Sequence, residues 1–151
     1  MPAFIAPDHP TQRLLFFIAQ EPTDATRASV RSFIGDLARS REWVIRPPKF
    51  IDTMDHPARP EVDASVGTTG GYLDIYSALP PLHLPEEVDR QHLEEVCHLI
   101  EAVRAFSKAQ ALPFEFELDG TFVGSIEAGT LDRSLREGLL GEWKKHLGVV
   151  E

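Results

Sequence analysis

The sequence predicts an α+β fold, a mixed or antiparallel sheet of about five strands with three helices packed mainly on one face. Segments with strand and helix periodicity follow one another in the order β-α-β-β-α-β-β-α. Such an order is typical of a sheet covered by helices on one side, and a ferredoxin-like split βαβ arrangement is the nearest common plan. A chain of 151 residues, 42% of them hydrophobic, is long enough for one domain with its own core, over 1–151.

The first half of the chain supplies a strand, a helix and a broken strand. Residues 13–19, "RLLFFIA", form a continuous apolar run, which predicts a strand covered on both faces after an irregular stretch over 1–12. Pro22 and Thr23 mark a helix start, and the apolar residues that follow share one helical face. The extended stretch 43–51 contains two adjacent prolines, which predict either a position at the sheet edge or a break in the strand.

The middle of the chain predicts a long loop, a strand and the longest helix. Residues 52–70 are poor in apolar groups and rich in Pro, Gly, Asp and Thr, so they form a functional or a mobile loop. Residues 71–79 alternate as a strand, which separates the polar side chains of Tyr72, Asp74 and Tyr76 from the apolar ones. An apolar arc over about 86–110 predicts a helix that faces the core.

Residues 114–127 give the clearest hairpin signal. A two-residue Asp119–Gly120 loop would pair Glu117 with Phe122 and mix carboxylates with aromatic rings on one face. A three-residue loop over 118–120 pairs Phe116 with Phe122 instead, and we predict this form. One face then carries the aromatic side chains, and the other carries the polar residues Glu115, Glu117, Ser125 and Glu127.

The last helix, over about 131–147, contains two glycines in its middle. Gly138 and Gly141 flank a leucine stripe, and each costs roughly 1 kcal/mol of helix stability relative to alanine. Close approach of this helix to the sheet or to a second subunit would explain them, and a helix break at Gly138 is the competing interpretation.

Charge and composition restrict the class of protein. The net charge is −9, with 8 Lys and Arg against 10 Asp and Glu in residues 1–75, and 7 against 14 in residues 76–151. An acidic half without a basic patch argues against nucleic acid as a ligand. The N-terminus lacks the pattern of a signal peptide, the longest apolar run is too short to cross a bilayer, and there is one cysteine. We therefore expect a cytoplasmic protein that does not enter membranes.

The histidines and carboxylates do not predict a metal centre, and no cofactor motif occurs. His92 and His98 lie about 240° apart around a helix, so they cannot share one ion, and Glu95 with His98 is only half of a di-iron pattern. Cys97 has acidic neighbours that disfavour a thiolate. The 52–70 loop offers Asp55 and His56 among other polar residues, but their spacing matches no calcium loop.

The best candidate site is the polar face of the predicted sheet. If strand 71–79 and the 114–127 hairpin share a sheet with helices behind it, one surface carries Tyr72, Asp74, Tyr76, Glu115 and Glu117, with Glu127 nearby. Tyrosine beside carboxylates suits protein recognition. The alternative is a face covered by the 52–70 loop or by a second subunit.

We therefore expect an acidic binding or interaction protein without catalytic activity. An inhibitor or immunity-type protein that binds a basic partner fits this size and charge. Self-association of the chain into a homodimer fits them as well. The competing hypothesis is an enzyme or a small-ligand-binding protein, with a pocket between the 52–70 loop and the sheet that uses His56, Asp55 and Tyr76.

Overall fold

A computed structural model describes residues 10–52, 69–76 and 85–147. The predicted order of strands and helices is confirmed, with six strands rather than about five. The strands are β1 Thr11–Ile18, β2 Lys49–Asp52, β3 Thr69–Tyr76, β4 Phe114–Leu118, β5 Thr121–Glu127 and β6 Thr130–Leu131. The helices are α1 Asp24–Arg39, α2 Glu86–Gln110, a π-helical segment Ser134–Gly141 and α3 Glu142–His146.

All pairs of neighbouring strands in the sheet are antiparallel, in the order β2-β3-β1-β4-β5-β6. The first four strands have the split βαβ arrangement that the sequence predicts, because β3 lies between β1 and β2. β1 is bonded to β3 on one side and to β4 on the other, so it is a central strand. The extended stretch predicted over 43–51 is a strand only from Lys49, after the two prolines, and this β2 strand lies at one edge of the sheet.

The hydrophobic core lies on one face of the sheet, beneath the helices. Leu14 and Phe16 of β1 are at most 1% exposed, and they pack with Ile34 of α1 and Leu99 of α2. The close contact of α1 with the sheet depends on Gly71, because a Cβ there would lie 2.8 Å from Ile34 Cδ1 and 2.9 Å from Phe16 Cζ.

The ends of the two long helices follow local rules. The Thr23 hydroxyl caps α1 by accepting the Thr26 N–H at 3.1 Å, as the sequence predicts. The α2 helix covers the predicted range 86–110 and ends where Ala111 adopts a left-handed conformation with φ of 55°. The Ser107 hydroxyl then donates to the Leu112 carbonyl at 2.6 Å, which fixes the exit of the chain toward β4.

The prediction of a three-residue hairpin loop is wrong. Asp119 and Gly120, with φ of 50° and 85°, form a two-residue turn, and Glu117 therefore lies opposite Phe122. A β-bulge between Phe116 and Glu117 resets the register, so that Phe116 lies opposite Gly124 and faces the core. The bulge separates the aromatic residues of β4 from Phe122, which is 51% exposed.

The close approach expected at the glycines of the last helix occurs elsewhere. A Cβ at Gly138 would meet no atom within 4 Å, whereas a Cβ at Gly124 of β5 would lie 2.5 Å from Leu135 Cβ. The terminal helix therefore packs its Leu135 backbone onto a glycine of the strand. Gly138 and Gly141 lie in the π-helical segment, and a Cβ at Gly141 would lie 3.2 Å from the Arg136 carbonyl oxygen of that same segment rather than against the sheet.

Candidate functional site

The face of the sheet opposite the helices presents ordered rows of side chains. Directly paired residues point to the same side, so the strand register defines these rows. None of the described helices lies on this surface, and we call it the helix-free face. Its middle row runs Lys49, Tyr72, Leu15, Glu117, Phe122 across five strands; the next row runs Ile51, Gly70, Phe17, Glu115, Ser125; and Asp74 with Arg13 form a third.

The centre of the helix-free face is apolar. Leu15, Phe17, Ile51 and Tyr72 are half-buried side chains on the side of the sheet away from the helices. Phe122 is 51% exposed at the β5 end of the middle row. A sheet face with this many partly exposed apolar groups is typical of a surface that contacts another protein.

The charges on this face are arranged in two ways. Asp74 is 7% exposed and accepts from Arg13 at 3.3 Å, and Arg46 lies 3.5 Å from its second oxygen. The Arg13 guanidinium also lies 3.8 Å above the centre of the Tyr72 ring. Lys49, by contrast, is exposed, and within the described ranges neither it nor Glu115 nor Glu117 forms an ion pair.

The structure brings most of the expected site residues together. Tyr72, Asp74, Glu115 and Glu117 lie on the helix-free face, separated by β1, and Glu127 lies at its β6 margin. Asp74 is enclosed by arginines rather than offered to a partner. Tyr76 ends β3 with its ring centre 5.7 Å from that of His92, so it lies toward the helices at the end of the strand.

Sequence reasoning missed Leu15, Phe17, Lys49 and Phe122 of the same face. Leu15 and Phe17 belong to the run 13–19, which the sequence assigned to a strand covered on both faces. The Asp119–Gly120 dipeptide is the sequence signal for the position of Phe122, because it favours the two-residue turn that places Phe122 opposite Glu117. Lys49 required knowledge that β2 pairs with β3, and no local pattern contains that pairing.

A buried polar centre links α2 to β3 and to the segment after α1. His92 and Glu95 are both 0% exposed, with His92 Nδ1 2.5 Å from Glu95 Oε2. His92 Nε2 accepts the Tyr76 N–H at 3.1 Å, so Nδ1 carries the proton and donates it to Glu95. Glu95 Oε1 accepts the Val44 N–H at 3.0 Å. Both ring nitrogens are thus occupied within the fold, and neither is free to act on a substrate.

The neighbouring histidine has a separate partner. His98 Nε2 lies 2.7 Å from the Ser40 hydroxyl, and its ring packs edge-on against Trp43.

Within residues 10–52, 69–76 and 85–147, no three His, Cys, Asp or Glu side chains are placed to hold a metal ion. On the outer side of α2, hydrogen bonds from Arg104 lower the pKa of the Glu101 carboxyl.

A pocket of about 410 Å³ lies between α1 and the edge strand β2. Its charged walls are internally paired: Arg27 lies 2.8 Å from Asp24 and 3.3 Å from Asp52, whose side chain is 5% exposed. Arg31 lies 5.5 Å from the Phe50 ring centre and has no acidic partner among the described residues. The pocket expected beside the 52–70 loop, with Asp55 and His56, lies outside the described residues.

Comparison with protein-family models, curated proteins and solved structures finds no match to this chain. Among the described helices, none combines the length and the apolar character that spanning a membrane requires.

Proposed function

We propose that the protein is a cytoplasmic protein-binding module without catalytic activity, and that the helix-free face is its binding surface. The observation that carries this proposal is the middle row of that face, where half-buried Leu15 and Tyr72 lie between exposed Lys49 and 51% exposed Phe122. Apolar and aromatic groups with a charged margin are the usual composition of a protein interface.

The buried polar centre supports the non-catalytic part of the proposal. A general base needs a free lone pair within reach of its substrate. His92 has both nitrogens engaged and is 0% exposed, and Glu95 accepts from two donors in the same centre. These groups hold α2 against β3, which is a structural role.

The acidic outer side of α2 is the alternative surface within the same class. Glu87, Glu94 and Glu101 are exposed along it, and an inhibitor of a basic protein would use such a surface. The helix-free face itself is nearly balanced in charge, because Arg13, Arg46 and Lys49 accompany its carboxylates. It therefore suits a partner with both signs of charge around an apolar centre.

Site-specific photocrosslinking separates these surfaces. A benzoylphenylalanine replaces Phe122 in one sample and Glu94 in a second, both in cells of the source. We expect a protein adduct from position 122 and none from position 94, with the crosslinked chain identified by mass spectrometry. Adducts from position 94 alone would move the interface to α2, and no adduct from either position would contradict the proposal.

Small-ligand binding is a second candidate function, and the pocket between α1 and β2 favours it. Its volume of about 410 Å³ lies in the range of ligand sites, and Arg31 is an available cation beside the Phe50 ring. The probe is acetate, titrated into ¹⁵N-labelled protein and into Arg31→Gln. Saturable shifts around Phe50 that disappear in the variant would support a carboxylate site. Shifts that are equal in both proteins, or absent, would exclude it.

A further inference from the structure

We propose that the partner of the helix-free face is a second copy of this chain, related by a two-fold axis that runs parallel to the strands between β1 and β3. This inference rests on the proposed function, since it names the partner of the same surface. It is carried by the pattern of residue types across the rows.

A two-fold axis that lies in the plane between two facing sheets and runs parallel to the strands reverses the order of the strands and keeps each row opposite itself. With the axis between β1 and β3, each β2 faces the partner's β4, and each β3 faces the partner's β1. The middle row reads Lys49, Tyr72, Leu15, Glu117 from β2 to β4, and Phe122 of β5 falls beside the outer edge of the partner's β2. Reversed, the row brings Lys49 over Glu117, and Tyr72 over Leu15, twice in each dimer.

The neighbouring rows fit the same axis. In the row Ile51, Gly70, Phe17, Glu115, the reversal brings the Phe17 ring over Gly70, which has no side chain to oppose it. In the third row, each Arg13–Asp74 ion pair lies over the partner's pair in reverse order, so unlike charges face each other while Asp74 keeps its own arginines. The face thus has a cation at its β2 side, carboxylates at its β4 side and apolar groups between them.

An axis perpendicular to the strands makes poorer contacts. It leaves each strand facing its own copy, so the β4 carboxylates Glu115 and Glu117 face the partner's β4 carboxylates, and Lys49 faces the partner's β2. Like charges facing each other disfavour that arrangement. Aligned packing of two sheets, about 10 Å apart, is a common geometry, and charges and ring positions here select one orientation of it.

Charge reversal tests the orientation. Lys49→Glu and Glu117→Lys are prepared singly, and sedimentation equilibrium measures the dimer dissociation constant. Each single variant places two like-charged pairs at the interface, and we expect at least about tenfold weaker dimerisation. An equimolar mixture of the two variants restores both pairs, so a heterodimer of wild-type affinity should form.

The matched controls are Lys145→Glu and Glu94→Lys, which make the same charge changes at exposed helix positions. They should leave the dissociation constant within about twofold of wild type, since exposed charges remote from an interface contribute little. Circular dichroism verifies the fold of each variant. For any variant that does not fold, a zero-length carbodiimide crosslink between Lys49 and Glu117 of mixed ¹⁴N and ¹⁵N wild-type chains tests the same contact.

The outcomes are distinct. A chain that remains monomeric up to millimolar concentration would overturn the dimer, while an adduct of position 122 with a different protein would still support the proposed function. A dimer that neither responds to the single reversals nor recovers in the mixture would overturn this face and axis. Recovery in the mixture, or an interchain Lys49–Glu117 crosslink, would support them.

Discussion

His92 shows how one buried side chain specifies the packing of three segments. It belongs to α2, accepts from the β3 backbone through Tyr76, and donates to Glu95, which in turn holds the Val44 backbone. Each atom of this centre has one compatible role, since the Tyr76 N–H can only donate. A buried network with every member satisfied is specific, and it is sensitive to the loss of a single acceptor.

Glu95→Gln should destabilise the fold although it keeps the shape of the side chain. Glutamine has one acceptor oxygen for the two donors that Glu95 accepts. If this oxygen stays on the Val44 N–H, the glutamine NH₂ group faces the His92 Nδ1–H, donor against donor. A change to the other imidazole tautomer would instead place the Nε2–H against the Tyr76 N–H. One donor is therefore left unsatisfied in a buried site, at about 1–3 kcal/mol of the free energy of unfolding. Urea unfolding measures the change, and Glu94→Gln at the exposed neighbouring position is the control. Equal stability of the two variants would refute the assigned tautomer.

At the scale of elements, the hairpin and the terminal helix are joined at one glycine. Gly124 of β5 has φ of 152°, and a Cβ on it would lie 2.5 Å from Leu135 Cβ and 2.6 Å from Leu135 N. The bulge that precedes Gly124 directs this strand toward the helix. Backbone therefore contacts backbone at this point, and any larger side chain would separate the two elements.

Gly124→Ala and Gly138→Ala form a matched pair for this contact. The first should destabilise the protein by about 2–4 kcal/mol, because it forces Leu135 away from the strand. The second should be neutral or stabilising by up to about 1 kcal/mol, because a Cβ there meets open space and alanine favours helix. Thermal unfolding compares both with wild type. Equal losses in both variants would mean that the terminal helix packs through Gly138 after all.

The same elements show what local sequence patterns predict and what they do not. Periodicity predicted the range of α2, the Pro22–Thr23 pair predicted the start of α1, and two adjacent prolines predicted the edge position of β2, because each of these signals is local in the chain. The hairpin loop was mispredicted because face matching alone did not allow for a bulge. Four of the five expected site residues share a face, whereas Lys49 and Phe17 enter it only through pairing between distant strands.

At the scale of the whole molecule, the described sheet has a protected central strand, β1, and an edge strand, β2, that carries part of the helix-free face. The β1 strand hydrogen-bonds on both sides, and its inward residues Leu14 and Phe16 are at most 1% exposed. The β2 strand has four residues, and its only neighbour in the described sheet is β3. Backbone protection should therefore fall from β1 toward β2, since edge amides open without unfolding of the core.

Hydrogen exchange measures this gradient and also separates two modes of association. We expect the β1 amides to exchange at least about 100-fold more slowly than those of β2, in monomer and dimer alike. A dimer formed through the helix-free face contacts side chains and leaves the β2 edge unpaired. A partner that added a strand to that edge would instead slow exchange at Lys49–Asp52, through new backbone hydrogen bonds. Slowing at Lys49–Asp52 far beyond that at β4, which the same packing covers, would thus contradict face-to-face packing, because that packing forms no backbone hydrogen bonds at the edge.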